Sequence, residues 1–298
     1  MARSPLFASL IICLLLAACA SAESPQAGST GAAYLSIGNG VRGAGMGGAF
    51  SSVADEVTAM YWNPAGIGRL TRPELSATYN MWLLDTNYST VHYLQPSIIG
   101  NFGVSAFYLN YGAIEETTLT NRTGTGRAFT PSSYVFNLTW AKEVWSNLCL
   151  GASAKLLQEN IDAYSEGGSS FDFGLTYKSE PLGMNFGLSL MNVGSSGGDK
   201  LGETMRMGFS KVFWDRLLVA LDCNLPGDRD VYANLGFEYI MNDILALRCG
   251  YNTLTQENAG GNWGIGVGLR LSRFNVDYAY VPYEDLGSAH RIGLKIGF

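Results

Sequence analysis

A glycine-rich stretch near the N-terminus has the spacing that binds phosphate in many nucleotide-binding proteins. Gly38, Gly40 and Gly43 fit the pattern G-x-G-x-x-G, and the overlapping stretch from Gly43 to Gly48 fits it again. The pattern indicates a dinucleotide site only where it follows a strand, opens a helix and belongs to a β-α-β unit. A turn follows here instead, so the sequence predicts neither a nucleotide site nor any other cofactor.

Residues for nucleophilic or metal-assisted catalysis are scarce. His92 and His290 are the only histidines, and a hydrolase needs a nucleophile or an activated water beside such a base. His290 shares strand parity with Ile292, which places it at the outer face, and no Ser-His-acid set can be placed. Two histidines also disfavour a metal site. We therefore expect no enzymatic activity and no bound metal.

The cysteines add no further chemistry. Cys13 and Cys19 lie in an N-terminal signal, which leaves Cys149, Cys223 and Cys249. Three is an odd number, and their spacing fits no metal motif. The sequence therefore predicts no disulfide framework, and the three side chains are expected to fill apolar space.

The composition is that of a strand-rich protein with an apolar exterior. The chain is 47% hydrophobic but only 15% charged, with 37 glycines, 16 tyrosines and 14 phenylalanines among 298 residues. A typical soluble domain carries about 25% charged residues. The net charge of −6 argues against a nucleic-acid partner.

Residues 1–22 have the features of a secretory signal. Arg3 supplies the positive charge, and the apolar run from Leu6 to Ala18 is too short to span a bilayer as a helix. Ala20-Ser21-Ala22 fits a small-x-small cleavage site, whereas Leu16 to Cys19 resembles a lipobox in which Cys19 would be lipidated. Both alternatives predict export.

From residue 74 to residue 298 the sequence alternates between apolar and small or polar residues. In Trp263 to Leu271 the odd positions are apolar and the even positions are Gly264, Gly266, Gly268 and Arg270. Segments of about ten alternating residues are typical of strands in transmembrane barrels. The sequence predicts an all-β, antiparallel up-and-down transmembrane barrel, against the alternative of a water-soluble sandwich. The predicted strands are 75–84, 87–96, 102–112, 132–143, 147–158, 170–178, 183–192, 203–213, 216–225, 230–241, 244–252, 263–272, 273–282 and 288–298, about 14 in all.

The connections and side-chain facings refine this barrel. Short and long connections alternate, as periplasmic turns and extracellular loops do. The predicted outward loops are Ala113–Pro131, Gln158–Ser170, Val193–Gly202 and Thr253–Asn262. Aromatic residues expected at the membrane interfaces are Tyr79, Trp82, Trp140, Tyr177, Trp263 and Tyr280. Charged residues expected in the lumen, where they would pair with one another or line a polar path, are Asp222, Arg270, Asp277, Arg291 and Lys295.

The final strand ends in an aromatic residue. "HRIGLKIGF" places Ile292, Leu294 and Ile296 on one face and stops at Phe298. This resembles the C-terminal signal that the bacterial barrel-assembly machinery reads. We therefore predict that Phe298 is an assembly signal and that this machinery is a partner.

Residues 23–73 precede the barrel and contain the most specific motif. Ser51 to Met60 is predicted to form a short helix, and Asn63-Pro64-Ala65-Gly66 a turn. Val41 to Leu70 resembles the N-terminal segment of the PorV/PorQ family, which shares the fourteen-stranded barrel of FadL-type fatty acid transporters. The resemblance implies that this segment plugs the barrel. In that interpretation Trp62, Asn63, Pro64, Ala65 and Gly66 lodge the plug against the wall, and Gly43, Gly45, Gly47 and Gly48 let it pass closely along the strands.

Two functions follow from the resemblance. A PorV/PorQ-type protein supports protein secretion or surface attachment in a type IX-like system through binding of secretion-system proteins. The alternative is a FadL-like transporter of hydrophobic small molecules. Both place the chain among the lipids of the bacterial outer membrane.

Overall fold

A closed antiparallel β-barrel makes up most of the computed structural model, which describes residues 28–254 and 261–298. Fourteen long strands in this part of the chain lie side by side in sequence order. The last pairs with the first, with Glu74 opposite Gly297 and Met81 opposite His290. The strands are β1 Glu74–Met81, β2 Asn87–Gln95, β3 Asn101–Asn110, β4 Ser132–Trp145, β5 Leu148–Ile161, β6 Tyr164–Ser179, β7 Met184–Ser196, β8 Thr204–Phe213, β9 Leu217–Pro226, β10 Tyr232–Met241, β11 Leu245–Asn252, β12 Trp263–Leu271, β13 Phe274–Pro282 and β14 Ser288–Gly297.

The fold class predicted from the sequence is confirmed, and the sandwich alternative is excluded. Each predicted strand corresponds to one observed strand. The predicted signal, residues 1–22 with Cys19, lies outside the described residues, as does part of the predicted loop Thr253–Asn262.

Short elements complete the described chain. Two-residue strands pair at Ile114–Glu115 with Ala128–Phe129, and Asp199–Lys200 extends the hairpin that follows β7. No helix in the described ranges is long and apolar enough to span a membrane. The helices are α1 Val41–Gly45 and α2 Ala59–Trp62, with 3₁₀ turns at Ala33–Ser36, Pro64–Arg69 and Glu284–Leu286.

The alternation along each strand separates an apolar outer face from a polar inner face. On β12, Trp263, Ile265 and Val267 are exposed on the outside, whereas Gly264 and Gly268 are buried. Successive side chains of a strand point to opposite faces, so the same parity rule assigns the inner face of the other strands. The outer face therefore presents apolar side chains around the barrel.

The two rims of the barrel differ in their connections. Connections after even-numbered strands, such as 146–147 and 272–273, are short, and we call this end the turn rim. Connections after odd-numbered strands include 111–131 and 253–262, and we call this end the loop rim. The short hairpin of residues 82–86 also lies at the loop rim.

Several details of the sequence-based prediction are wrong. Most of the predicted loop Val193–Gly202 is strand, because its first four residues belong to β7 and Asp199–Lys200 pair back onto them. Most of the predicted loop Gln158–Ser170 belongs to β5 and β6, whose hairpin turns at residues 162–163. Trp82 does not face the interface, because β1 ends at Met81 and the indole turns inward. Its ring centroid lies 5.1 Å from that of Tyr283 and 5.9 Å from that of Tyr88.

Residues 28–73, which we call the inner segment, lie against the inner face of the barrel. Glycines of the wall permit this close approach. A methyl group at Gly174 of β6 would lie 2.1 Å from Asn63 Oδ1, and one at Gly151 of β5 would lie 2.4 Å from the Ala65 nitrogen. Real Cβ atoms do not come this close to other heavy atoms. The glycines on the inner face of the wall therefore leave room for the backbone of the inner segment.

Candidate functional site

The Asn63-Pro64-Ala65-Gly66 turn is fixed to one side of the barrel by the Asn63 amide. Asn63 is fully buried, and its Nδ2 donates to the carbonyl of Ser51 at 3.0 Å. It also lies 3.1 Å from the Leu175 carbonyl on β6 and 3.4 Å from the Leu188 carbonyl on β7. Its Oδ1 accepts from the Ala65 backbone N–H at 3.1 Å. One side chain therefore closes the turn and attaches it to two strands.

Trp62 lies beside this turn at the centre of the inner segment. Its indole Nε1 donates to the Asn39 carbonyl at 2.9 Å, and Ser189 of β7 donates to its carbonyl at 3.2 Å. A methyl group at Gly43 would lie 2.7 Å from the indole ring. The requirement for glycine at position 43 therefore comes from Trp62 rather than from the barrel wall.

The other predicted glycines of the inner segment have two different roles. Gly47 and Gly48 have positive φ angles of 63° and 85°, which L side chains rarely adopt. A methyl group at Gly45 would lie 3.2 Å from the Gly266 Cα on β12. Gly47 and Gly48 are therefore required by the backbone conformation, and Gly45 is required by the close approach of the segment to the wall.

The predicted helix over Ser51–Met60 is wrong in extent, because only α2 is helical there. The backbone N–H groups of Phe50 and Ser51 donate to Asp222 Oδ2 of β9 at 2.9 and 2.8 Å. These donors are therefore satisfied by the barrel wall rather than by a helix N-cap. Asp222 is one of the predicted lumen charges, and its partner is the inner segment rather than another wall residue.

A buried ionic cluster fixes the opposite side of the inner segment. Arg42 of α1 donates from Nε and Nη2 to the Glu238 carboxylate of β10, both at 2.8 Å. Glu238 also accepts from Arg248 Nε at 2.7 Å and from Arg270 Nη2 at 3.1 Å. Arg42 further pairs with Asp55. One carboxylate on the wall thus receives three guanidinium groups, one of which belongs to the inner segment.

The cluster extends to β13 and β14. Lys295 Nζ donates to Glu56 Oε2 at 2.7 Å, and Arg248 pairs with Asp277. The fifth predicted lumen charge, Arg291, instead donates to the Gly38 carbonyl at 2.6 Å. Sequence parity identified Arg270, Asp277 and Lys295 but missed Arg42, Arg248 and Glu238. Glu238 and Arg248 also lie on the small and polar faces of predicted strands, so the same parity rule could have placed them in the lumen.

Glu56 gives the cluster a defined dependence on pH. Burial alone would raise the pKa of this carboxyl, but the Lys295 ammonium and the Arg42 guanidinium outweigh burial and lower it from 4.5 to about 2. The folded pKa is thus below the unfolded value. The stabilisation is therefore fully present above pH 4.5 and is lost as pH falls towards 2.

We expect Glu56→Gln to lower the free energy of unfolding at pH 7 by on the order of 3 kcal/mol. The difference from the unmodified chain should shrink as pH falls from 4.5 to about 2. Urea unfolding of both proteins in detergent across this pH range measures it. Glu284→Gln, at an exposed position of the loop rim, is the control and should show no such trend. A difference that is independent of pH would contradict the prediction.

Cavities lie on both sides of the inner segment. One of about 220 Å³, which we call the vestibule, opens toward the loop rim and is bordered by Trp62, Trp82 and Tyr283. A cavity of about 410 Å³ on the turn-rim side is bordered by Asp55, Gly66 and other residues of the segment. The inner segment therefore separates two spaces within the barrel.

The histidines and cysteines do not form a common site. His92 is buried in the lumen, 3.4 Å from Asn39 Oδ1, whereas His290 hydrogen-bonds Tyr278 on the outer face. They lie on opposite faces of the wall. Cys149 and Cys223 are buried and Cys249 is exposed, and no disulfide joins any of these three within the described residues.

Phe298 lies at the seam where the barrel closes. Its backbone N–H donates to the Pro73 carbonyl at 3.0 Å, and its ring is exposed. An exposed ring on the closing strand is accessible to another protein. That the assembly machinery reads Phe298 stays a prediction.

Solved structures share this fold at low sequence identity. The chain is similar to the Pseudomonas putida toluene transporter TodX, with a TM-score of 0.66, 16% identity, and coverage of 87% of this chain and 97% of that chain. It is similar to the Ralstonia pickettii toluene transporter TbuX, with a TM-score of 0.63, 15% identity, and coverage of 87% and 97%. A Pseudomonas aeruginosa FadL homologue has a TM-score of 0.60, 11% identity, and coverage of 87% and 98%. The similarity identifies the fold as FadL-type.

Sequence comparison gives a family but no characterised relative. No curated protein sequence matches the chain. The PorV/PorQ name suggested by residues 41–70 is not confirmed. The sequence pattern of UPF0164, an uncharacterised protein family, matches residues 15–166, half of the chain, including the inner segment and the first five strands. The chain therefore belongs to the UPF0164 family.

Proposed function

We propose that this chain is a non-enzymatic outer-membrane channel for hydrophobic small molecules, in which the inner segment acts as a plug. The observation that carries the proposal is the FadL-type fold, shared with two toluene transporters over 87% of the chain. The aromatic vestibule beside the inner segment adds support, because apolar and aromatic walls with a few polar groups are typical of small-molecule sites.

The apolar outer face supports the location in the membrane. Exposed aliphatic side chains such as Val267, Leu269 and Leu294 surround the barrel, and exposed aromatic rings such as Trp140 and Tyr177 lie among them. Transmembrane barrels carry an apolar band flanked by aromatic residues. This arrangement suits the outer membrane of a Gram-negative-type bacterium.

Passage through the barrel requires the plug to move, since it separates the vestibule from the cavity at the turn rim. Two of its attachments lie on different walls. Asn63 attaches it to β6 and β7, whereas Arg42 and Glu56 attach it to β10 and β14. Release of the ionic attachment alone would leave the turn in place. We therefore propose that the half of the plug around α1 moves first.

The secretion hypothesis stays a prediction. The similar structures are transporters of small hydrophobic compounds rather than secretion components. They favour the alternative drawn from the sequence. A secretion role would need a partner, and pull-down of the intact chain from mildly solubilised outer membranes would identify one.

Uptake measurements test the proposed function. The full chain is produced in a Gram-negative host that lacks its own hydrocarbon and fatty acid channels, and entry of radiolabelled toluene, benzoate and oleate is followed. We expect faster uptake of at least one compound than in cells with an empty vector. Heat-modifiable mobility on a gel serves as the control for a folded barrel. A folded barrel with no increase for any of these compounds would overturn the proposal.

A further inference from the structure

The vestibule carries an excess of positive charge over negative charge. Arg206, Arg229 and Arg291 border it, and no carboxylate is among its lining residues within the described ranges. Its aromatic walls include Tyr61, Trp62, Trp82, Tyr232 and Tyr283. A channel for uncharged hydrocarbons alone has no need of buried cations here, because a buried charge costs free energy unless it is paired.

Two of the three arginines are incompletely satisfied. Arg229 has its own partner, the Asp228 carboxylate, at 3.2 Å from both Nε and Nη2. Arg206 is only 7% exposed, yet its Nε and Nη1 have no hydrogen-bond partner. Arg291 is 3% exposed, and its Nε also lacks a partner. Buried donors are nearly always hydrogen-bonded, so these nitrogens indicate a missing acceptor.

The packing of Arg206 fixes the position of its guanidinium. The group lies over the rings of Tyr61 and Trp62, with its carbon 5.4 and 5.2 Å from the ring centroids. Asp222 on the neighbouring strand does not form an ion pair with it within 4 Å. Asp222 Oδ2 is bound to the Phe50 and Ser51 N–H groups, and Asp222 Oδ1 is buried without a hydrogen-bond partner among the described residues. The aromatic rings hold the guanidinium in place without supplying an acceptor.

The volume of the vestibule limits the ligand. A protein cavity of about 150 Å³ is large enough for benzene, whereas drug-sized ligands occupy pockets of about 300–1,000 Å³. The vestibule, at about 220 Å³, fits one aromatic ring with a small substituent. A long acyl chain exceeds this space.

We infer that the vestibule binds a small aromatic carboxylate, with the carboxylate accepting from Arg206 and the ring packed among the aromatic walls. The inference rests on the proposed channel function and narrows its substrate class. Arg206 supplies a charge-assisted hydrogen bond, which is stronger than a neutral one. Arg291, stacked 5.0 Å from the Trp82 ring centroid, supplies further positive potential.

Binding to the purified full chain in a nonionic maltoside detergent tests the inference, by calorimetry and by quenching of tryptophan fluorescence. The probes are benzoate, cyclohexanecarboxylate, toluene and oleate. We expect saturable benzoate binding, with each of the other three at least tenfold weaker. Arg206→Gln should weaken benzoate binding at least tenfold, as expected for loss of a charged hydrogen bond. Arg216→Gln removes a charge at the turn rim and should change it less than twofold.

Several outcomes would overturn the inference. Equal affinity for toluene and benzoate would show that the arginines do not select for charge. Tighter binding of oleate would show that the size limit is wrong. A folded Arg206→Gln protein with unchanged benzoate affinity would show that Arg206 does not donate a hydrogen bond to the benzoate carboxylate. Should that variant fail to fold, the ranking of the four probes on the unmodified chain still decides. Toluene or oleate uptake without benzoate binding would overturn this inference alone, whereas benzoate binding without uptake of benzoate, toluene or oleate would overturn the channel function alone.

Discussion

Replacing Glu238 by glutamine is expected to loosen the inner segment and to lower the free energy of unfolding by about 3–5 kcal/mol. Glu238 is 1% exposed and accepts four hydrogen bonds from three guanidinium groups. Glutamine has the same shape, but its amide N–H₂ would face the arginines as a second donor. Removing one partner of a buried ion pair is costly because it leaves the other charge uncompensated.

Two measurements check this prediction. Urea unfolding in detergent gives the stability, and trypsin cleavage after Arg42 or Arg69 reports exposure of the inner segment in the folded barrel. The control is Glu143→Gln. Glu143 lies 3.6 Å from Arg69 with both side chains partly exposed, so its loss should cost less than about 1 kcal/mol. Equal urea midpoints for Glu238→Gln and the unmodified chain would contradict the role assigned to Glu238.

The architecture of the wall was predictable because a strand has a period of two. Alternation over Trp263 to Leu271 assigned the outer and inner faces of β12 correctly. The same rule placed Arg270 and Lys295 in the lumen. Each of these statements concerns one residue relative to its sequence neighbours, which is the information that a local pattern carries.

The pairings within the lumen were not predictable by this route. Arg42 and Glu238 are 196 positions apart, and parity says that a side chain points inward without saying which inward side chain it meets. The partner depends on strand tilt and on the path of the inner segment. Asp222 illustrates this, since parity placed it correctly but its partners are the backbone N–H groups of Phe50 and Ser51.

Errors at strand ends have a related origin. Trp82 continues the apolar character of β1 but follows its last residue, and the turn carries the ring into the vestibule. Conversely, the polar residues of 158–170 suggest a loop, although they pair across β5 and β6. Strand residues that lie beyond the apolar band of the barrel can pair without alternating apolar and polar side chains. The alternation in the sequence therefore ends before the strand does.

Replacing Asn63 by aspartate is expected to be more damaging than replacing it by alanine. Alanine removes the bonds from Asn63 to the Ser51, Leu175 and Leu188 carbonyls, at a cost of about 2–3 kcal/mol. Aspartate keeps the shape but places a carboxylate oxygen against the same three carbonyls in a fully buried position. An unpaired buried charge raises the cost to about 3–5 kcal/mol. The position therefore requires an amide that donates on one side and accepts on the other.

Urea unfolding and heat-modifiable mobility of both variants measure this difference, with Asn121→Asp in an exposed loop as the control, expected to leave both unchanged. Because burial disfavours the charged carboxylate, the native state of Asn63→Asp should favour the protonated form. Its deficit should therefore be largest at neutral pH and shrink as pH falls. An aspartate variant as stable as the alanine variant at neutral pH would mean that water or a cation reaches this position. The Asn63 turn would then not be the water-free attachment that is proposed to stay in place while the half of the plug around α1 moves.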